Sequence, residues 1–173
     1  DYNLDDFWET TLDYASYQGK TYGIPVDGGN YAWIYNKKMF DQLGIEVPED
    51  GFTWDEFDAV CQQLMDNKET LGIKHATLIN DYGIKTILPY MWQNGVEYTN
   101  EDETKCNLAD PKTVEAVEYI KSLVDAGYIP PIEKLDEGSF PIVGMLNSGE
   151  IAMGRVALWL RSEEHTSELQ SPR

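Results

Sequence analysis

The chain is poor in the residue types that most often carry chemistry. Its 173 residues include two histidines, His75 and His165, and two cysteines, Cys61 and Cys106. Two cysteines are too few for a disulfide framework and lack metal-ligand spacing, so no metal site is expected. Cys61 falls on an apolar helix face and reads as a buried thiol, with a Cys61–Cys106 disulfide as the alternative. There is no HExxH, no CxxC, no glycine-rich phosphate loop and no Ser/His/Asp arrangement, so neither a cofactor nor a catalytic residue is implied. Basic residues are scarce too: 13 Lys and Arg stand against 31 Asp and Glu, a net charge of −18. Such a chain repels nucleic-acid phosphates, and no nucleic-acid partner is expected. No apolar run reaches the roughly 20 residues of a bilayer-spanning helix, so no transmembrane segment is expected.

What the chain does have is a core-forming composition and many flat rings. Apolar and aromatic residues make up 42% of it, with five tryptophans and eleven tyrosines. That is enough for one domain with a real core. Leu4 to Tyr14 reads as a short helix, and Tyr22–Pro25 and Tyr31–Asn36 as extended segments flanking the turn at Asp27–Asn30. Lys37–Leu43 reads as a helix stopped by Gly44. Thr53 and Glu56 form a capping box, with Phe52 and Phe57 as a hydrophobic staple. Phe57, Val60, Cys61, Leu64 and Met65 then follow as one helical stripe. A strand over Ala76–Ile79 and a helix over Asp81–Gln93 come next, then a polar segment, Tyr98–Asn107, that could form a small hairpin. Asp110-Pro111 opens a helix whose expected face is Val114, Val117, Ile120, Leu123 and Val124, ending at Gly127. Phe140–Asn147 reads as a helix and Ile151–Leu158 as a strand. Alternating strands and helices point to an α/β layer structure.

Four blocks in fixed order carry a family signal. They are Gly19-Lys20-Thr21-Tyr22-Gly23-Ile24-Pro25, Ile34-Tyr35-Asn36-Lys37-Lys38-Met39-Phe40, Phe52-Thr53-Trp54-Asp55-Glu56-Phe57, and Gly149-Glu150-Ile151-Ala152-Met153 followed by Trp159. From Tyr14 to Trp159 the chain resembles the extracellular solute-binding proteins of ABC importers, in the maltose-binding-like family. The resemblance implies a type II periplasmic-binding-protein-like clamshell, represented mainly by its second lobe. Residues 1–24 would be a remnant of the first lobe leading into the hinge, and residues 25–160 the incomplete second lobe. It also implies an extracytoplasmic monomer, periplasmic or lipid-anchored, that binds a sugar or oligosaccharide by lobe closure and delivers it to an ABC permease. With half a cleft, the chain is expected to bind weakly or not at all. A carbohydrate-active enzyme, or a sensing or cell-surface module on the same fold, are the alternatives.

A sugar ring needs a flat aromatic face for its C–H surface and planar polar groups for its hydroxyls. Trp159 stands where the family often has a stacking tryptophan, although Ala157 replaces a frequent glycine before it. Gly29, Asn30 and Tyr31 at the hinge turn are candidates, with a plain turn as the alternative. Asn80, Asp81 and Tyr82 follow a strand and precede a helix, the place where open α/β sheets hold ligands. Capping of that helix is their alternative role. Trp8, Trp33, Trp54 and Trp92 read as packing residues, and Tyr35 and Asn36 as a structural corner. Arg161 to Arg173 has almost no apolar residues and looks like a translated sequencing adapter. It is expected to pack against nothing.

Overall fold

A computed structural model describes residues 3–26, 29–48, 51–79, 83–131 and 141–157. The chain divides into two compact units, one of residues 1–31 with 157–173 and one of residues 32–156. The tail expected to be unpacked, Arg161–Arg173, lies outside the described residues.

In the first unit the expected single helix is broken. A 3-10 turn, Leu4–Asp6, is capped by the Asn3 side chain, and a separate helix α1, Glu9–Asp13, starts after Trp8. Trp8 occupies the N-cap of α1 in extended conformation and is 81% exposed, so it is not the packing residue expected. Strands β1 (Ser16–Tyr17) and β2 (Lys20–Thr21) pair antiparallel around Gln18 and Gly19. Both of these turn residues have positive φ, 49° and 71°, the requirement of the two-residue hairpin turn whose twist matches its strands. Tyr22–Pro25, expected as extended, forms no strand.

The second unit holds the main core. Strand β3 (Tyr31–Tyr35) leads into α2 (Lys37–Leu43). Asn36 makes the corner: its side chain accepts from Met39 N, while its own N–H donates to the Ala152 carbonyl at 2.7 Å. Gly44 ends α2 at φ 66°, a conformation cheap only for glycine. Helix α3 (Trp54–Asp66) opens on the full capping box, with Glu56 N donating to Thr53 Oγ1 and Thr53 N donating to Glu56 Oε2. The stripe read from the sequence is the buried one, with Phe57, Val60, Cys61 and Leu64 inside and Met65 half-buried. Cys61 and Cys106 are both free, the first buried and the second exposed.

After the short helix α4 (Lys68–Leu71) comes β4 (His75–Leu78), then α5 (Ile84–Gln93). Gly83 stands at the N-cap of α5 with no side-chain cap, so the helix starts later than expected from Asp81. An isolated antiparallel bridge, Thr99 with Cys106, closes the polar segment around the Asn100 side chain, which accepts from Thr104 N and Lys105 N.

Helix α6 (Pro111–Asp125) is capped by Asp110 as expected, but its buried face is Thr113, Ala116, Ile120 and Leu123. Val114 and Val117 are 47% and 42% exposed. Residue size misled the reading: small Ala116 and Thr113, whose hydroxyl donates to the Asn107 carbonyl, permit close approach. Helix α7 (Pro141–Ser148) precedes β5 (Ile151–Ala157). The sheet order is β3-β5-β4, with β4 and β5 parallel. β5 is central and almost wholly buried, as expected of a strand covered on both faces.

Candidate functional site

The residues named from the sequence fall into two groups. Asn80, Asp81, Tyr82 and Trp159 lie outside the described residues. Gly29, Asn30 and Tyr31 are described and exposed, at the entry to β3. His75, beside a buried strand, has its Nδ1 at 3.0 Å from the Gly127 carbonyl, a local structural contact rather than part of a catalytic set.

The second unit has a concavity that the sequence reading did not single out. It encloses about 310 Å³ between β3, the N-terminal turn of α3, the C-terminal half of α5, α6 and β5. Its walls are mostly rings. Trp33 stands 43% exposed at the mouth, tilted 60° against Phe57 with centroids 5.1 Å apart. It is therefore not the core residue expected: β3 is at the sheet edge, and its side chains are only partly covered. Tyr35 packs on Phe40 at 4.6 Å. Trp54 lies flat on Tyr119, centroids 4.2 Å apart and planes 5° from parallel, and Tyr90 closes a three-ring cluster with both. Trp54 thus packs as expected. Trp92, also expected to pack, is 49% exposed and contributes no wall.

Polar atoms at this concavity are few and placed. Trp54 Nε1 donates to Gln93 Oε1 at 2.8 Å, which fixes the amide and turns its Nε2 donor elsewhere. Arg155, on β5, reaches the Lys85 carbonyl at 3.2 Å. Tyr119 donates its hydroxyl to Asp58 Oδ1 at 2.9 Å. Burial, reinforced by that bond to a carboxylate, pushes the Tyr119 phenol well above its ordinary range. Burial also pushes the Tyr90 phenol up to about 12, with the Arg155 charge pulling the other way. Both rings are therefore neutral donors and apolar surfaces at any physiological pH. No carboxylate among the described residues lines the concavity. Among the described residues no group of His, Cys, Asp and Glu could hold a metal ion. The described walls offer flat apolar faces with a few polar groups among them, a lining that suits a ligand with apolar faces and hydroxyls.

The family profile described as bacterial extracellular solute-binding protein matches residues 1–160. The chain belongs to that family. The solute-binding chain is 34% identical over 128 residues to a Brucella abortus protein named only as a binding protein, covering 72% of this chain and 30% of that protein. It is 25% identical over 156 residues to the arabinooligosaccharide-binding protein of Bacillus subtilis, covering 90% and 34%. Among solved structures it is similar to an ABC substrate-binding protein from Listeria monocytogenes in complex with cycloalternan. That match has a TM-score of 0.77 and 28% identity, covering 93% of this chain and 40% of the other. The fold is the type II periplasmic-binding-protein fold, also shared with the GacH receptor of Streptomyces glaucescens at a TM-score of 0.73 and 23% identity. The chain spans about a third of the length of the curated relatives it matches. No helix among the described residues is long and apolar enough to cross a membrane.

Proposed function

We propose that this solute-binding chain forms most of one lobe of an importer's binding protein that takes a neutral sugar or oligosaccharide outside the cytoplasmic membrane. Delivery to an ABC permease follows closure of two lobes about the hinge at Gly29–Tyr31. Residues 25–160 form the second lobe in this reading, and residues 1–24 belong to the first. Asn30 and Tyr31 present hydroxyl-binding groups at the hinge, Asn80, Asp81 and Tyr82 do so after β4, and Trp159 supplies a stacking ring after β5. The protein works as a binder rather than an enzyme, either free in the periplasm or held by a lipid at the outer face of the membrane.

The observation that carries this reading is the match of residues 1–160 to the bacterial extracellular solute-binding family. Relatives named for arabinooligosaccharide and a similar structure holding cycloalternan support a sugar over an amino acid or peptide. The test is calorimetric titration with neutral oligosaccharides and with charged solutes, repeated on Trp159→Ala. Sugar binding that Trp159→Ala weakens supports the reading. Selective binding of an amino acid or a polyamine contradicts it. Permease genes beside the coding sequence fit the importer; a kinase or receptor gene in their place fits a sensor.

A further inference from the structure

Asn94 and Gly95 close α5 and carry a chemistry independent of sugar binding. In an unfolded chain an Asn-Gly pair is prone to deamidation, because glycine has no Cβ to shield its backbone nitrogen. That nitrogen attacks the asparagine Cγ, Nδ2 leaves as ammonia with the displaced proton, and a five-membered succinimide closes. Water then opens the ring at either carbonyl and leaves aspartate or isoaspartate. Hydroxide assists by taking the proton of the attacking nitrogen, and no oxidant or cofactor enters. Gly95 is required here for another reason: its φ of 76° gives α5 the left-handed end that satisfies the last carbonyls.

Three features of the fold oppose the reaction. Asn94 Nδ2, the group that has to leave, donates to the Lys112 carbonyl at 2.8 Å and to Glu115 Oε2 at 3.0 Å, both on α6. The Gly95 N–H, whose proton has to be lost, donates to the Trp92 carbonyl at 3.0 Å. Finally, Asn94 has ψ 8°, which nearly eclipses Gly95 N with the nitrogen of Asn94 itself. The succinimide needs Gly95 N eclipsed with Cβ instead. Turning the peptide that far breaks the Gly95 bond and the bond from Val96 N to the Met91 carbonyl, 2.9 Å, which together finish the helix.

We infer that Asn94 is a deamidation site gated by the α5–α6 junction, closed while the junction is fastened and open when it unfastens. The product keeps the junction loose. A carboxylate at position 94 faces the Glu115 carboxylate and the Lys112 carbonyl, two acceptors that have lost their donor. Lys112 Nζ lies near this corner, 3.8 Å from where a Cβ on Gly95 would stand, and softens the repulsion without replacing that donor. One opening event therefore leaves a lasting mark on the chain.

The test is to age the 173-residue chain at mildly alkaline pH, folded and in denaturing urea, and to follow the tryptic peptide Thr86–Lys105 by mass spectrometry. Asn100, followed by Glu101 in the same peptide, is the slow internal reference. Asn94 should react roughly ten-fold or more faster in urea, since the folded rate follows the population of the open form. Glu115→Ala removes one tether on an exposed side chain and should raise the folded rate several-fold while leaving the urea rate unchanged. Glu115→Gln keeps an acceptor and should stay near wild type. Asn94→Asp should lower the urea midpoint, and Glu115→Gln in the same chain should recover part of the loss, because an amide there can donate to the new carboxylate. Equal rates at Asn94 in the folded and unfolded chain overturn the inference. So does a folded rate in Glu115→Ala that matches wild type, or one that Glu115→Gln raises equally.

Discussion

Trp54 and Tyr119 lie face to face across 65 positions of sequence, 4.2 Å apart and within 5° of parallel. This stack ties the first turn of α3 to the middle of α6, and the Tyr119 hydroxyl adds a bond from the same ring to Asp58. The stack forms one wall of the concavity, so core packing and the candidate binding surface share a residue pair. Tyr119→Phe should keep the stack and lose the bond, lowering stability by about 1 kcal/mol. Tyr119→Ala should cost about 3 kcal/mol or more, since a large partly buried ring is removed. Urea melts of the three forms check the order, and equal midpoints for Phe and Ala would show that the ring contributes nothing.

The capping box makes the start of α3 a separate test. Thr53→Ala removes the oxygen that accepts from Glu56 N, and a lost cap costs about 1 kcal/mol. Thr53→Ser should lose far less. A melt with an unchanged midpoint in Thr53→Ala would mean that other groups satisfy the helix end.

Gly154 on β5 has no room for a side chain. A Cβ there would sit 2.6 Å from Ile142 Cδ1 and 2.9 Å from Ile142 Cγ1, and Ile142 is fully buried. Gly154→Ala should therefore destabilise by about 1–3 kcal/mol through overpacking. Ile142→Val in the same chain should recover part of that loss, a coupling that a double-mutant cycle detects. Strict additivity of the two changes would place the clash elsewhere.

The two thiols should differ sharply. Burial pushes the Cys61 thiol far above its ordinary value, and nearby Asp58 adds to the effect, whereas Cys106 is exposed. An aromatic disulfide reagent should label one thiol per native chain at once and the second only on unfolding. Cys106→Ser should abolish the fast phase. Rapid labelling of both would contradict the packed core around α3.

Stability should fall on both sides of neutral pH for different reasons. The Tyr90 phenol is raised by burial to about 12, so the folded chain holds its proton longer than the unfolded one. That contribution is intact below pH of about 10, the ordinary phenol value, and is lost as pH rises toward 12. Tyr119 is raised in the same direction. On the acid side the Glu150 carboxyl is lowered by its bond to Lys74, so its contribution is present above the ordinary carboxylate value and fades as pH falls through the lowered one. The pair is surface-exposed, and the acid effect should be the smaller. Melting temperature against pH should drop more steeply above pH 10 in wild type than in Tyr90→Phe.

Local signals were the readable part of the sequence. The Thr53–Glu56 box, the Asp110-Pro111 helix start and the Gly44 stop each follow from a few neighbouring residues, and each is present. What could not be read was which rings end up covered. Trp33 sits in an apolar run that looks like core, yet its strand takes the sheet edge, and strand order is not a local property. Val114 and Val117 look more apolar than Thr113 and Ala116, but close packing of α6 selected the small residues. The concavity itself joins residues up to 122 positions apart, from Trp33 to Arg155, and no spacing rule links them. The one available hint was the number of tryptophans and tyrosines in segments that cap helices and begin strands.

The central proposal is that the binding protein to which this chain belongs takes neutral sugars. Calorimetric titration at millimolar concentrations, with neutral oligosaccharides, amino acids and polyamines run under one buffer, tests it most directly. The account predicts saturable heat with at least one neutral oligosaccharide and none with the charged solutes. Heat from an amino acid or a polyamine, with no oligosaccharide able to bind or compete, would contradict it.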